Sequence, residues 1–348
     1  MKAATLDAFL NSFAGAGDER RAAIAAAVRQ LAKAAIGIRQ RIGEGALEST
    51  FAEKRGVNSD GDVQQGLDIL ADDLLLEALR HAPVAAYASE ELEQPVLLDA
   101  DAPLAVAVDP LDGSSNIATN LSIGTIFSFL PATGGPDQNP AAAFFQPGAN
   151  QLAAGCFIYG AQLALVLSVG SGTHVFVMSQ RLGTFVQAHE SLAIPPRTQE
   201  FAINAANYRH WDEAVRLYVD DCLKGEEGPR GKDFNMRWIA SLAADSYRIL
   251  MRGGVFLYPG DRRKDYGRGR LRLVYEANPI AFLIEQAGGA ATDATSRILD
   301  IEPESLHQRV PLVFGSAREV ARIARYHLDP SSIGERAPLF GNRGLFRA

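Results

Sequence analysis

The chain has 348 residues, 34 Lys+Arg against 41 Asp+Glu for a net charge of −7, and 47% hydrophobic residues. About 150 residues per domain suggests two domains or one large one, and the apolar content is globular, not disordered. No run reaches the roughly 18 apolar residues of a membrane helix, Asp7 and Asp18 interrupt any apolar leader, and an acidic balance argues against general nucleic-acid binding. Cys156 and Cys222 form no Cys-x-x-Cys pair, so neither a disulfide framework nor a zinc knuckle is expected and a reducing cytoplasm is the expected compartment.

Ile24, Val28, Leu31, Ala35, Ile38 and Ile42 recur at spacings of three and four, which predicts a long amphipathic helix from Asp18 to Ile42. A polar loop follows from Glu44 to Asp60. A second helix is predicted over Asp62–Arg80, with Val63, Leu67, Leu70, Leu74 and Ala78 on its buried stripe. Short apolar runs at 84–88 and 104–108 read as strands, each stopping abruptly at acids: Ser89-Glu90-Glu91 and Asp109. Buried strands that deliver carboxylates at their C-terminal ends are the geometry of an α/β active site.

More strands are predicted at 124–130, 163–169 and 173–177, and Pro195-Pro196 marks the candidate domain boundary, giving regions 1–195 and 196–348. Beyond it, 201–204, 255–258, 271–275 and 310–314 read as strands, and 212–222 and 238–251 as helices. Asn278-Pro279 opens another helix with the cap at Asn278, and Ser316-x-x-Glu319 reads as a capping box for the last one. Strands and helices interleave throughout, so the class is α/β with two sheets.

Glu90-Glu91, Asp109/Asp112 and Glu276 sit at predicted element ends, and Asp68 lies on the second helix. Like charges raise one another's pKa, so a cluster of this kind needs a cation. Oxygen donors without His or Cys point to Mg²⁺ or Mn²⁺, not zinc. The segment Asp109-Pro110-Leu111-Asp112-Gly113-Ser114-Ser115-Asn116 follows an uncharged strand. Pro110 fixes the backbone after the first acid and Asp112-Gly113 allows a sharp reversal. The amides of Gly113, Ser114 and Ser115 are then placed to converge on a phosphate. An EF-hand fails here, because its twelfth position would be Asn120. No Walker, dinucleotide or zinc-protease motif occurs, and His174 and His189 read as packing or surface residues.

From Asp261 to Arg272 the acidic chain turns basic, with Arg262, Arg263, Lys264, Arg268, Arg270 and Arg272 against Asp261 and Asp265. Either Arg270 or Arg272 is expected to point into the site. Arg237 is a further candidate anion contact, since guanidinium groups suit phosphate bidentately.

The block Val108-Asp109-Pro110-Leu111-Asp112-Gly113-Ser114-Ser115-Asn116-Ile117 closely resembles the signature of class I fructose-1,6-bisphosphatases. Gly61-Asp62, Leu67-Asp68, Ser89-Glu90-Glu91, Phe256-Leu257-Tyr258-Pro259, the run from Leu271 to Pro279, and Gln286-Ala287-Gly288-Gly289-Ala290 extend the resemblance over roughly Phe9 to Tyr326. The resemblance implies a layered α-β-α-β-α sandwich with two mixed sheets, a homotetramer, and Mg²⁺-dependent hydrolysis of the 1-phosphate of fructose 1,6-bisphosphate. It also implies a place in carbohydrate metabolism, in gluconeogenesis or the Calvin cycle. Carried over by position, Glu90, Asp109, Asp112 and Glu276 with the Leu111 carbonyl would hold two or more Mg²⁺ ions, with Mn²⁺ as a substitute. Glu91 would activate the attacking water and Asp68 accept or relay its proton. Asp112, Gly113, Ser114 and Ser115 would hold the 1-phosphate. Asn204, Tyr258 and Arg270 would bind the sugar and its 6-phosphate, and Arg237 would reach in from a neighbouring subunit. The alternatives are hydrolysis of sedoheptulose 1,7-bisphosphate, alone or as well, and, more remotely, a non-catalytic phosphosugar-binding protein.

Three departures fall among the 6-phosphate and subunit contacts: Ala205-Ala206 stand where the family usually has Glu-Gly, Trp238 where Tyr is frequent, and Arg270 where Lys is common. The nucleotide-inhibitor site of animal relatives uses a Thr-Gly-Glu turn and a Lys-Tyr pair. Here Gly15-Ala16-Gly17-Asp18 and Pro103-Leu104 stand in the corresponding stretches. The expected outcome of an AMP titration is weak inhibition or none; cooperative inhibition at micromolar AMP would contradict it.

Overall fold

A computed structural model describes residues 4–44, 54–57, 63–133, 139–264 and 266–328. The Gly61-Asp62 motif, most of the 44–60 stretch and Asp265 lie outside the described residues. The described α-helices are α1 (Leu6–Ala14), α2 (Glu19–Glu44), α3 (Gly66–Leu79), α4 (Glu213–Leu223), α5 (Leu242–Arg252), α6 (Asn278–Gln286) and α7 (Ala317–Leu328).

The larger sheet has eight strands in the spatial order Thr184–His189, His174–Ser179, Leu163–Ser168, Ala153–Tyr159, Ile123–Pro131, Leu104–Asp112, Val84–Ser89 and Val96–Leu97. Its pairs are antiparallel except Leu104–Asp112 with Val84–Ser89, which run parallel. The smaller sheet orders Asn235–Met236, Glu200–Ala202, Val255–Tyr258, Leu312–Gly315 and Ala290–Thr292. Its first three strands are mutually parallel and the rest antiparallel. Both sheets are therefore mixed.

Strand alternation sorts the apolar residues into layers, because successive side chains leave opposite faces. Val106, Val108 and Phe127 pack with α1, α2 and α3 on one face of the larger sheet. Ile126, Cys156 and Val166 point the other way, toward α5 and α6, and meet Phe256 and Phe314 of the smaller sheet. Val255, Leu257 and Val313 leave the far face and are covered by α4 and α7. The result is the α-β-α-β-α sandwich that the sequence resemblance implies. Close approach of α5 to the larger sheet depends on Gly124, where an added Cβ would lie 2.3 Å from Ala243 Cβ and 2.7 Å from Phe157 O. Overpacking of that kind costs about 1–3 kcal/mol.

Several expectations need correction. α3 begins at Gly66, after a short strand Val63–Gln65. Its buried residues are Leu67, Asp68, Ala71, Asp72, Leu75 and Leu79, so the stripe is rotated from the predicted one; two aspartates occupy buried positions and misphase an apolar pattern. The strand predicted over 271–275 stops at Arg272 and gives way to a π-helical turn, Leu273–Ala277, that runs straight into α6. Asn278 is accordingly inside the helix and is not its cap. α5 begins at Leu242, capped by Ser241, not at Trp238. The capping box at Ser316 is not formed: the Ser316 hydroxyl accepts from Gly254 N–H, and the Glu319 carboxylate accepts from Tyr218 and Arg230. The strands Ala153–Tyr159 and Thr184–His189 and the helix α1 have no counterpart among the predicted elements. Cys156 and Cys222 are both free and buried.

Candidate active site

Parallel pairing of Val84–Ser89 with Leu104–Asp112 sets Ser89 opposite Val108, and the ladder continues one step through Glu90 N–H donating to Val108 O at 3.0 Å. Two strand ends thus deliver Glu90 and Asp109 to one edge. The third acid comes from the π turn. Widened turns of this type recur at functional sites, and this one carries Glu276, whose Oε2 accepts the Arg272 backbone N–H at 2.6 Å. Carboxylate oxygens of Glu90, Asp109 and Glu276 all lie within 4.8 Å of one another.

Pro110 and Leu111 form a β-bulge: Asp109 pairs with Ile126 and Asp112 with Gly124, three residues opposite two. Residues three apart on a regular strand face opposite sides, and one extra residue restores a common side. Proline removes no ladder bond there, because the bulge leaves its position unpaired. Thr125 anchors the bulge by donating to Pro110 O at 2.8 Å, and Leu111 N–H donates to Asp109 Oδ1 at 3.1 Å.

Asp112 is buried but stands outside the three-acid group. Its Oδ2 accepts from Ser241 Oγ at 2.7 Å and Ala243 N–H at 2.8 Å, and its Oδ1 from Leu242 N–H at 3.0 Å. The carboxylate therefore sits on the N-terminus of α5, where orphan amides and the helix dipole favour negative charge. Gly113 follows at φ +75°, and an added Cβ would lie 2.8 Å from Ser241 Cβ, so both conformation and space demand glycine. Asn116 locks the other end of the loop through its side-chain amide to Ile239 O and Ala240 O, both at 3.3 Å. Between these anchors Gly113 and Ser114 are half-buried and Ser115 is exposed. Asp68 is buried on α3, and Glu91 directly follows Glu90 with its N–H on Ser89 Oγ at 3.2 Å.

Of the two candidate arginines, Arg272 enters the carboxylate cluster: it is buried and its guanidinium pairs with Glu90. Arg270 lies over the Tyr266 ring, 4.7 Å from its centroid, and lines a small pocket with Asn204, Asn207, Trp238, Tyr258 and Asp261. The predicted sugar contacts Asn204, Tyr258 and Arg270 are thus brought together, and Asn207 joins them without having been singled out in the sequence. Asn204 accepts from Ala206 N–H at 3.2 Å, so the unusual Ala205-Ala206 pair begins a tight 3₁₀ turn. Trp238 stacks on Phe256 with ring centroids 5.5 Å apart. Arg237 does not line this pocket; it is half-exposed and lies 3.9 Å from Glu200. Arg263 stands beside this pocket: it pairs with Asp261, donates to Asn207 Oδ1 at 3.2 Å and lies 4.7 Å from the centroid of the same Tyr266 ring. His174 is buried against the Phe9 ring and His189 is exposed, as packing and surface residues.

Burial pushes the Glu90 carboxyl up to about 7, against the pull of Arg272. Asp109 and Glu276 are raised well above the ordinary carboxylate range by burial and then by their acidic neighbours. The residues fit a hard divalent cation: three convergent carboxylates with, among the described residues, no His or Cys in the group. A carboxyl with a raised folded-state pKa stabilises the fold below its unfolded value, here 4.5 for Glu90. That contribution is lost as pH climbs through the folded value. The metal-free protein therefore loses the Glu90 contribution between pH 4.5 and about 7, and a cation that needs the deprotonated acids restores it. The rise in Tm on adding saturating Mg²⁺ is expected to be larger near pH 8 than near pH 5. An equal rise, or a larger one near pH 5, would contradict the assignment.

A family model described as the N-terminal domain of fructose-1,6-bisphosphatase matches residues 10–190, and one described as its C-terminal domain matches residues 194–328. Proteins named fructose-1,6-bisphosphatase class 1 from Sinorhizobium medicae and Rhizobium meliloti are each 66% identical over 349 residues, covering 100% of both chains. One from Azorhizobium caulinodans is 56% identical over 329 residues, covering 94% of this chain and 100% of the relative. The crystal structure of Leishmania major fructose-1,6-bisphosphatase in holo form superposes with a TM-score of 0.86 at 29% identity, covering 94% of this chain and 99% of that one. Sequence and fold agree, and the chain belongs to the class 1 fructose-1,6-bisphosphatase family.

Proposed function

We propose that this site hydrolyses the 1-phosphate of fructose 1,6-bisphosphate to fructose 6-phosphate and phosphate by direct attack of water. The observation that carries this reading is the convergence of Glu90, Asp109 and Glu276 beside a glycine-led loop fixed on the N-terminus of α5. Glu90, Asp109 and Glu276, with the Leu111 carbonyl, would hold Mg²⁺ or Mn²⁺. Asp112 would add to this set, since its α5 contacts leave acceptor capacity on Oδ1. A divalent cation there neutralises charge on the transferring phosphoryl group and lowers the pKa of water.

The chain's own groups do the rest. Gly113, Ser114 and Ser115 orient the 1-phosphate with backbone amides and hydroxyls. Arg272 supplies a fixed positive charge within the cluster. Glu91 takes the proton from the attacking water and Asp68 receives or relays it. Asn204, Tyr258 and Arg270 hold the sugar and its 6-phosphate, and Arg237 contributes from the neighbouring subunit of a homotetramer. Region 1–195 then carries the 1-phosphate residues, and 196–348 the sugar contacts together with Glu276. No described helix is long and apolar enough to cross a membrane, which fits a cytoplasmic enzyme.

Phosphate release from fructose 1,6-bisphosphate and from sedoheptulose 1,7-bisphosphate, each with Mg²⁺, Mn²⁺ or EDTA, tests this reading. Mg²⁺-dependent release from the fructose ester, abolished by EDTA, is expected. Glu91→Gln should lower kcat by about 10²-fold or more, the scale of a lost general base, and Asp112→Asn should abolish turnover. Activity that survives EDTA, or full activity in either variant, would contradict it.

A further inference from the structure

Arg263 stands beside the small pocket that holds Asn204, Tyr258 and Arg270, and it touches two other side chains that line it. Its Nε donates to both Asp261 carboxylate oxygens, at 3.0 and 3.1 Å, and its Nη2 donates to Asn207 Oδ1 at 3.2 Å. Its guanidinium carbon lies 4.7 Å from the centroid of the Tyr266 ring, and that of Arg270 lies 4.7 Å from the same centroid. Aromatic faces attract cations at this range, so one ring gathers both guanidinium groups at the pocket.

Each contact bears on what the pocket can accept. Asp261 and Arg270 are the charged side chains among the described residues that line it, so their charges cancel and the lining alone offers a phosphate no net attraction. The Asp261 side chain is 6% exposed, which leaves little water to screen it. Hydrogen bonding from Arg263 holds its carboxyl below the ordinary range, and so ionised. Arg263 offsets that carboxylate and leaves Arg270 to face an anion. At Asn207 the effect is one of orientation. A guanidinium only donates, so Arg263 fixes the Asn207 carbonyl oxygen toward itself and leaves the amide NH₂, a donor, for a ligand. The turn does not need these side-chain bonds to close: Asp261 N–H donates to Tyr266 O at 3.0 Å and Tyr266 N–H to Arg263 O at 3.2 Å.

We propose that Arg263 is a positioning residue that prepares this pocket for the second phosphate of the substrate, by offsetting Asp261 and by turning the Asn207 amide NH₂ toward the ligand. This rests on the reading that Asn204, Tyr258 and Arg270 receive the sugar and its 6-phosphate. Without Arg263 an unpaired carboxylate faces the incoming dianion, and like charges set against each other in this way weaken binding.

The test compares Arg263→Ala, the double variant Arg263→Ala/Asp261→Asn, and Arg270→Ala. It reads kcat and KM for fructose 1,6-bisphosphate, the inhibition constant of fructose 6-phosphate, and the Mg²⁺ concentration for half-activation. In Arg263→Ala, KM and the inhibition constant are expected to rise by about tenfold, with kcat and Mg²⁺ activation changed by less than about twofold. The double variant should regain about threefold or more of that loss, because it removes the charge that Arg263 offsets. A residue that merely braced the loop would leave the double variant no better than Arg263→Ala, and that result would overturn the proposal. So would an unchanged KM in Arg263→Ala, or a fall in kcat as large as the rise in KM. If Arg263→Ala fails to fold, Arg263→Gln takes its place in both arms, since glutamine keeps most of the length and loses the charge. Arg270→Ala separates the two levels: if it raises KM while Arg263→Ala does not, only this inference fails; if neither raises it, the underlying reading of the pocket fails.

Discussion

Three carboxylates held within 4.8 Å of one another and largely out of water form the constraint on which the rest of the site depends. Mutual repulsion and desolvation both favour the protonated acids, so the arrangement persists only if the fold imposes it. Two separate devices do so: a parallel strand pair that brings Glu90 and Asp109 to one edge, and a π turn that brings in Glu276. Arg272 stands against Glu90 and supplies the only guanidinium seen paired to the group among the described residues. A cation entering the cluster would have to share Glu90 with that guanidinium or displace it.

The same economy of position links the two substrate regions. Asp112 ties the phosphate loop to the first turn of α5. Three residues into that helix Asp245, fully buried, accepts Ile239 N–H at 3.1 Å and pairs with Arg248 at 3.3 Å. Arg248 reaches Glu200 at 3.0 Å, which also holds Arg252 at 2.9 Å. The segment carrying Arg237 and Trp238 is thereby fixed to the helix that seats the loop. The Gly113–Ser115 loop and the segment carrying Arg237 and Trp238 are thus parts of one packed unit, which suits the proposed reaction, one that relies on positioning more than on covalent chemistry.

Much of this was legible in the chain. Apolar runs that stop at acids located Glu90 and Asp109, because buried strands that deliver carboxylates at their C-terminal ends are the geometry of an α/β active site. The Asp-Gly turn and its serines located the loop, and resemblance extended the reading to Asn204, Tyr258 and Arg270. What escaped was set by tertiary context. A bulge is invisible to a period-two pattern, so nothing in the order Asp109-Pro110-Leu111-Asp112 told which side each acid would face. The alternation Leu271-Arg272-Leu273-Val274-Tyr275 reads as a strand, yet the chain closes into a π turn that aims Glu276. Asp72 was missed because buried-stripe reasoning scores apolar residues and passes over an acid among them. The available signal was its spacing of four from Asp68, which puts two acids on one helix face.

The most direct test of the central claim is crystallographic. Crystals grown with Mn²⁺ and measured at its absorption edge are expected to show an anomalous peak bounded by Glu90, Asp109 and Glu276, with the Arg272 guanidinium moved off Glu90. Manganese found only elsewhere on the chain, with these three carboxylates still closed around Arg272, would contradict the account.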